Sequence, residues 1–372
     1  MGDFMRDFLK HIKWKTLLAR TGIVIGVTVL MAVFALFSVL LIINYGPSRR
    51  AHKVFVKSVR ETSAIGFLGD WFTTKEELAS IIAENSIEEI TDITDANLIH
   101  IPTKAPDVSE APREPQRIVE YLENGEQKVV TRASDGHIYD NLVLDEDGII
   151  ICEVSGSTYF GHMMIIADPS RVFVGVCKNV GNPNAGGQKV SQIMERYGAV
   201  AATNAGGFED PNGQGTGTIP LGFCYSEGRR VHDGGAGLLI GFDKNNVLVV
   251  GNMTTAKADE IGIRDAVTFG PALIVNGNPA NISGTSGGLN PRTAIGQRED
   301  GAVLLLCIDG RQANSLGATY ADLIEIFLDF GAINAANLDG GSSALMMYKG
   351  KDVSSRSNLI SDRYLPTTIL VR

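Results

Sequence analysis

Four short segments carry most of the chemistry this chain offers. Asn337-Leu338-Asp339-Gly340-Gly341-Ser342-Ser343 puts a carboxylate, two glycines and two hydroxyls at a chain reversal. Glycines let backbone N–H groups approach a ligand without a Cβ in the way, and a nest of such groups favours anions. Asp309-Gly310-Arg311 ends the most apolar run of the C-terminal half, and Asn290-Pro291-Arg292-Thr293 leads straight into another. Ala201-Ala202-Thr203-Asn204-Ala205-Gly206-Gly207-Phe208 is the fourth. Each alone reads as a turn. Together they supply carboxylates, amides and two guanidiniums where rigid elements begin or end, which is where sites are disproportionately built. Arg292 and Arg311 read either as partners of Asp309 or Asp339 or as planar forks for phosphate or carboxylate.

Other motifs fall away. Gly213-Gln214-Gly215-Thr216-Gly217 lacks the strand-to-helix setting of a dinucleotide site. Asp210-Pro211-Asn212-Gly213-Gln214-Gly215 imitates the start of a calcium loop, but Leu221 stands where its closing Glu belongs. There is no H-E-x-x-H. Cys152, Cys177, Cys224 and Cys307 lack metal-finger spacing, and Cys152 and Cys307 sit in apolar runs that suit buried free thiols.

The elements that must position these residues follow from the hydrophobic pattern. The 372 residues allow one or two domains with a substantial core. Ile23 to Ile43 is uncharged and, at about 1.5 Å per residue, matches the roughly 30 Å of a hydrocarbon layer. No small-x-small cleavage site follows it, so an uncleaved signal anchor is expected over 23–43, after a basic cytoplasmic segment 1–22. Residues 44–116 read as a juxtamembrane stalk, with a short helix over 74–84 and a Pro-rich linker from 100. Residues 117–372 read as the compact domain. Of the 33 Lys and Arg, ten lie in residues 1–60, as do two of the 42 Asp and Glu, leaving 23 basic against 40 acidic residues beyond. That balance argues against nucleic acid as a partner. The basic N-terminus and long C-terminal region favour the domain outside the cytoplasmic membrane, on a single-pass protein.

Within the domain, alternating apolar runs around turns predict hairpins over 142–151, 238–250 and 293–308. Helices are expected over Gln188–Tyr197, Thr255–Ile261 and Thr319–Phe330. The class is α+β, a mainly antiparallel sheet with packed helices, preceded by one transmembrane helix.

The four segments, in their order along the chain, resemble the phosphodiester glycosidase family over roughly 143–372. Pro291-Arg292-Thr293-Ala294-Ile295-Gly296, Asp309-Gly310-Arg311 and Asn337 to Ser343 carry most of the likeness, with Phe269-Gly270-Pro271 to Gly277 as a central hairpin. Ser342 stands where many members have a third glycine. The resemblance implies hydrolysis of a sugar-1-phosphodiester, of the N-acetylglucosamine-1-phosphodiester kind. Asp339, Asp309, Arg292 and Arg311 are then the expected catalytic residues. Asn204, Gly206, Thr293, Gly340, Gly341, Ser342 and Ser343 are expected to bind substrate. No cofactor is called for with certainty, and a divalent metal stays open. Cleavage at phosphorus, and a non-catalytic role in binding or assembling an exopolysaccharide or cell-wall polymer, stay open as alternatives.

Overall fold

A computed structural model describes residues 14–60, 66–102, 115–121, 127–210, 217–357 and 363–372. The chain divides into two compact units, Met1–Val56 and Lys57–Arg372.

The first unit is dominated by the helix Trp14–Tyr45. Its stretch Leu18–Tyr45 is 28 residues long and, by length and composition, apolar enough to cross a membrane. The helix therefore extends beyond the 23–43 run. Lys15 and Arg20 lie within its first turns, because long aliphatic stems let a charged head leave an apolar layer. Of the basic segment expected over 1–22, residues 1–13 lie outside the described residues.

The second unit is built on an eight-stranded antiparallel sheet. Its strands lie side by side as Asn278–Pro279, Ala272–Val275, Ala332–Leu338, Arg292–Arg298, Val303–Ile308, Phe160–Ile166, Ile149–Ser155 and Leu142–Glu146. Both faces of its central strands are covered, so these strands are near-continuous apolar runs. Along Ile149–Ser155, Ile149 and Ile151 enter one core while Ile150 and Cys152 enter another. That alternation is the two-residue period of a strand.

On one face lies the helix Tyr320–Asp329, burying Leu323, Ile324, Ile326 and Phe327. Its start is fixed by a reciprocal cap. The Thr319 N–H donates to Asp322 at 2.7 Å, and the Asp322 N–H donates back to the Thr319 hydroxyl at 3.3 Å. The helix comes so close that a Cβ on Gly296 would meet the Phe327 ring at 2.8 Å.

On the other face two five-stranded sheets share the larger core. One runs Lys351–Asp352, Met346–Tyr348, Ala201–Asn204, Thr367–Val371, Val172–Val176 and carries the helix Val190–Tyr197. The other runs Arg229–His232, Cys224–Ser226, Ile263–Thr268, Ala236–Asp243, Leu248–Thr254 and carries the helix Thr255–Ile261. All pairings are antiparallel. The α+β class and the three expected hairpins are thus found, and the three expected helices appear within two residues of their predicted ends. All four cysteines are free and buried.

The domain starts earlier than the pattern suggested. Residues 57–102, expected as stalk, fall inside the second unit. The helix expected over 74–84 is Lys75–Glu84, capped by Thr74. After it the chain runs across the domain: Ile87 bridges Ile282, Thr94 bonds Val250 and Asn334, and the His100 N–H reaches the Glu299 carbonyl at 2.7 Å. Ile81 and Ile99 are buried there. These contacts are mostly single backbone or hydroxyl bonds, which leave no period in the sequence. The prolines of the expected linker at 106 and 112 lie outside the described residues.

Candidate active site

Antiparallel pairing brings three of the sequence segments to one edge of the large sheet. Thr293 lies opposite Leu338 on one side and opposite Cys307 on the other. The strand Arg292–Arg298 therefore starts where its two neighbours end, and Arg292, Asp309 and Asp339 converge. Asn204 ends a strand of the adjoining sheet and closes the gap. Its Nδ2 donates to the Asp339 carbonyl, and its Oδ1 accepts from Thr293 Oγ1 at 2.7 Å and the Leu345 N–H at 3.2 Å. The Asp339 N–H donates to the Ala205 carbonyl at 2.9 Å, tying the two sheets together beneath the carboxylate.

The turn after Asp339 is tight for two stated reasons. A Cβ on Gly340 would meet the Pro291 carbonyl oxygen at 2.6 Å, and Gly341 has φ +58°. The Gly341 N–H donates to that same carbonyl at 2.9 Å, and the Gly340 N–H serves the Asp339 carboxylate. The backbone nest expected at Gly340 and Gly341 is thus occupied by the protein's own oxygens. Ser342 keeps part of its side chain exposed, while Ser343 is buried. Ser342 Oγ accepts from Arg311 Nη1 at 3.2 Å. Ser343 Oγ accepts from Arg363 Nη1 at 3.0 Å and itself donates to the Asp339 carboxylate.

Asp339 is ringed by protein yet keeps part of its surface exposed. Loss of hydration pushes its pKa up to about 6, against the pull of Ser343, Arg363 and the Gly340 N–H. The acid whose charge reaches it is Asp210, which forms an ion pair with Arg363. Asp309, expected as the second carboxylate, is 2% exposed and accepts the Ser355 N–H at 2.9 Å through one oxygen. Burial raises its pKa too. It braces the loop at 355 from below.

Three guanidiniums share this edge. Arg311 adopts φ +58°, a left-handed conformation that costs a non-glycine residue about 1 kcal/mol or more. The turn directs its side chain to Ser342 and toward Asn290. Partial dehydration, then the like charges of Arg292 and Arg363, hold its pKa below the usual range. Arg292 is 5% exposed, stacked on the Tyr320 ring at 4.4 Å, and donates to the carbonyls of Ala318, Gly287 and Gly288. Arg363 lies over the Phe208 ring at 5.1 Å.

Of the expected residues, the structure gathers Asp339, Ser342, Gly340, Gly341 and Arg311 at this edge, with Ser343 buried beside Asp339 and Arg292 behind. Asn204 and Thr293 are fully buried. They hold Asp339 from beneath and have no surface to offer a substrate. Gly206 is in place for packing, since a Cβ there would meet Val267 at 2.8 Å. Sequence reasoning missed Arg363 and Asp210. Arg363 has no apolar run beside it to distinguish it from surface charge. Asp210 drew attention only as part of a calcium-like loop, whose residues 211–216 lie outside the described residues. Among the described residues no group of three or more His, Cys, Asp or Glu side chains is placed to hold a metal ion.

Residues 197–372, which hold every residue of this cluster, match the family model for phosphodiester glycosidase. That segment belongs to the phosphodiester glycosidase family. The chain is accordingly related to hydrolases of that kind, at a distance. An uncharacterized SPbeta prophage-derived protein of Bacillus subtilis, YomE, is 34% identical over 188 residues, covering 48% of this chain and 29% of that protein. The N-acetylglucosamine-1-phosphodiester alpha-N-acetylglucosaminidase of Bos taurus is 26% identical over 226 residues, covering 54% of this chain and 41% of the bovine one. The chain thus spans less than half the length of these relatives. The fold is similar to the solved catalytic domain of the zebrafish N-acetylglucosamine-1-phosphodiester alpha-N-acetylglucosaminidase, with a TM-score of 0.50 at 18% identity. That match covers 79% of this chain and 90% of the zebrafish one.

Proposed function

We propose that this phosphodiester glycosidase relative is a membrane-anchored hydrolase that frees a sugar from a sugar-1-phosphodiester, of the N-acetylglucosamine-1-phosphodiester kind, in a cell-envelope glycan. The observation that carries the reading is the line Arg363–Ser343–Asp339, with Arg311 alongside. A partly exposed carboxylate of raised pKa beside several guanidiniums suits a substrate that is part sugar and part phosphate.

The departing phosphate monoester has a second pKa of about 6 and leaves without strong protonation. An ordinary glycosidase needs two carboxyl groups, one of them an acid for the leaving oxygen. Here Arg311 and Arg363 take the phosphate oxygens, with the Ser342 hydroxyl beside Arg311 and the buried Ser343 hydroxyl linking Arg363 to Asp339. Arg292, too buried to touch a polymer, adds positive potential from behind and braces the 287–288 turn. Asp339 stands ionised above pH 6 and either activates water or attacks the anomeric carbon. Asn204 and Thr293 fix its backbone. The apolar helix Leu18–Tyr45 supports a single-pass anchor with the domain on the outer side.

The deciding experiment incubates the full-length protein with a panel of sugar 1-phosphodiesters in ¹⁸O-labelled water. The reading expects free reducing sugar carrying the label. Label in the phosphate instead assigns P–O cleavage, and no product from any of the panel leaves a glycan-binding role.

A further inference from the structure

The strand Arg292–Arg298 has the candidate active site at its first residue and a separate cavity at its last. Seven extended residues at ~3.3 Å each put the two about 20 Å apart. The cavity holds about 1010 Å³, between the strand Ile149–Ser155, the end of the helix Tyr320–Asp329 and the turn that follows Arg298. That is the size of a small-molecule site.

One wall is a row of rings. His137 stacks on Tyr139 with centroids 6.3 Å apart, and Tyr139 stacks on Phe330 at 5.7 Å and 17°. Tyr159 adds a half-buried fourth ring to the lining. Behind them Arg298 is already matched. It donates to the Tyr139 hydroxyl at 3.0 Å, to Asp135 at 3.2 Å, and to both oxygens of Asp300 at 3.1 and 2.8 Å. A guanidinium 7% exposed and so fully engaged offers little to an anion. The other ionisable lining is mostly carboxylate: Asp140, Glu153, Glu299 and Asp329. Burial, and the charges of Asp322, Glu325 and Asp329, push the Tyr159 phenol up, which places that ring in a negative field.

Aromatic faces beside surplus carboxylates attract cations and repel phosphate. We propose that this cavity binds an organic cation, an ammonium group borne on a ring or chain that lies against Tyr159 and Phe330. The inference does not depend on the hydrolase reading, and it assigns the cavity a ligand that the arginine-rich edge would reject.

Calorimetric titration of the full-length protein in detergent, at low salt, tests it. The probes are glucosamine and spermidine, with N-acetylglucosamine as the neutral control. At least one amine is expected to bind, about tenfold or more tighter than the control. Preference for glucosamine makes the natural ligand an amino sugar, and preference for spermidine a polyamine. The double variant Glu153→Gln/Asp329→Asn changes two exposed side chains, so it should fold normally and weaken amine binding by about tenfold. Equal binding of the neutral sugar, no binding of either amine, or unchanged affinity in the folded double variant overturns the proposal.

Discussion

Arg363 Nη1 lies 3.0 Å from Ser343 Oγ, and that hydroxyl is in turn bonded to the Asp339 carboxylate. A cation thus reaches the buried acid through one hydroxyl, while its other amino group stays with Asp210. Arg363→Lys keeps the charge and loses the fork. Turnover of a sugar-1-phosphodiester should fall roughly tenfold or more with Arg363→Lys, and further with Arg363→Ala. Steady-state kinetics with KM and kcat resolved checks this, and wild-type values in both variants would remove Arg363 from the site.

Asp339→Asn keeps the shape of the side chain and removes its charge. As base or nucleophile, Asp339 should be indispensable, so the variant should lose about a thousandfold in kcat or more. It should also be more stable near neutral pH, because a charge held in a poorly hydrated place is gone. Thermal unfolding and product release measured on the same sample test both halves. Residual activity within about tenfold of wild type would rule out the role.

The pH dependence follows from the same group. With a pKa near 6 in place of 3.8, Asp339 favours the folded state fully below about 3.8, and that contribution disappears as pH rises through 6. Its full size is at most about 3 kcal/mol, trimmed by the open side of the cleft. The stability difference between wild type and Asp339→Asn should therefore widen from pH 4 to pH 7, as read from denaturant titrations. Activity should move the opposite way, rising through pH 6 to a plateau. A decline above pH 6 would make Asp339 an acid instead.

Arg292→Ala is a test of structure first. The substitution removes the guanidinium donor from the carbonyls of Gly287 and Ala318, leaving each with an Asn290 donor, at 3.1 and 3.4 Å. Losing a charged donor there should cost about 2–4 kcal/mol. A drop in kcat without a drop in unfolding temperature would instead place Arg292 among the residues that meet the substrate.

Gly340→Ala puts a methyl 2.6 Å from the Pro291 carbonyl oxygen. The turn must shift, taking Asp339 and Ser343 with it. Turnover should fall by about a hundredfold while the rest of the domain stays folded, since displacements near 1 Å in a catalytic group have that effect. Circular dichroism alongside the assay separates this from general unfolding.

Much of the fold was legible because both faces of the main strands are buried, which leaves long apolar runs broken by Asp-Gly and Asn-Asn turns. The helix under Phe327 announced itself by its period and by the glycine at 331. Residues 86–102 did not, since hydroxyl and backbone bonds such as those of Thr94 hold them in place. At the site, Asp339 and Arg311 stood out because apolar strands flank them. Arg363 belongs to none of the segments that stood out, and only the tertiary fold brings it to Ser343. The burial of Asn204 and Thr293 was equally hidden, because an amide that braces a backbone and one that touches a sugar read alike in a sequence.

The bond from the Asp339 N–H to the Ala205 carbonyl has a consequence for how the molecule matures. The strand that ends at Asn204 pairs with Thr367–Val371, the last strand of the chain. Asn204 therefore gains its final lateral support only once the C-terminal residues have arrived. Pairings this distant in sequence close late in folding. A chain folded only as far as Tyr348 would hold Asp339 and Arg311 and still lack the strand that flanks Asn204. Order at the Asp339 turn would therefore arrive together with completion of this sheet, and not before it.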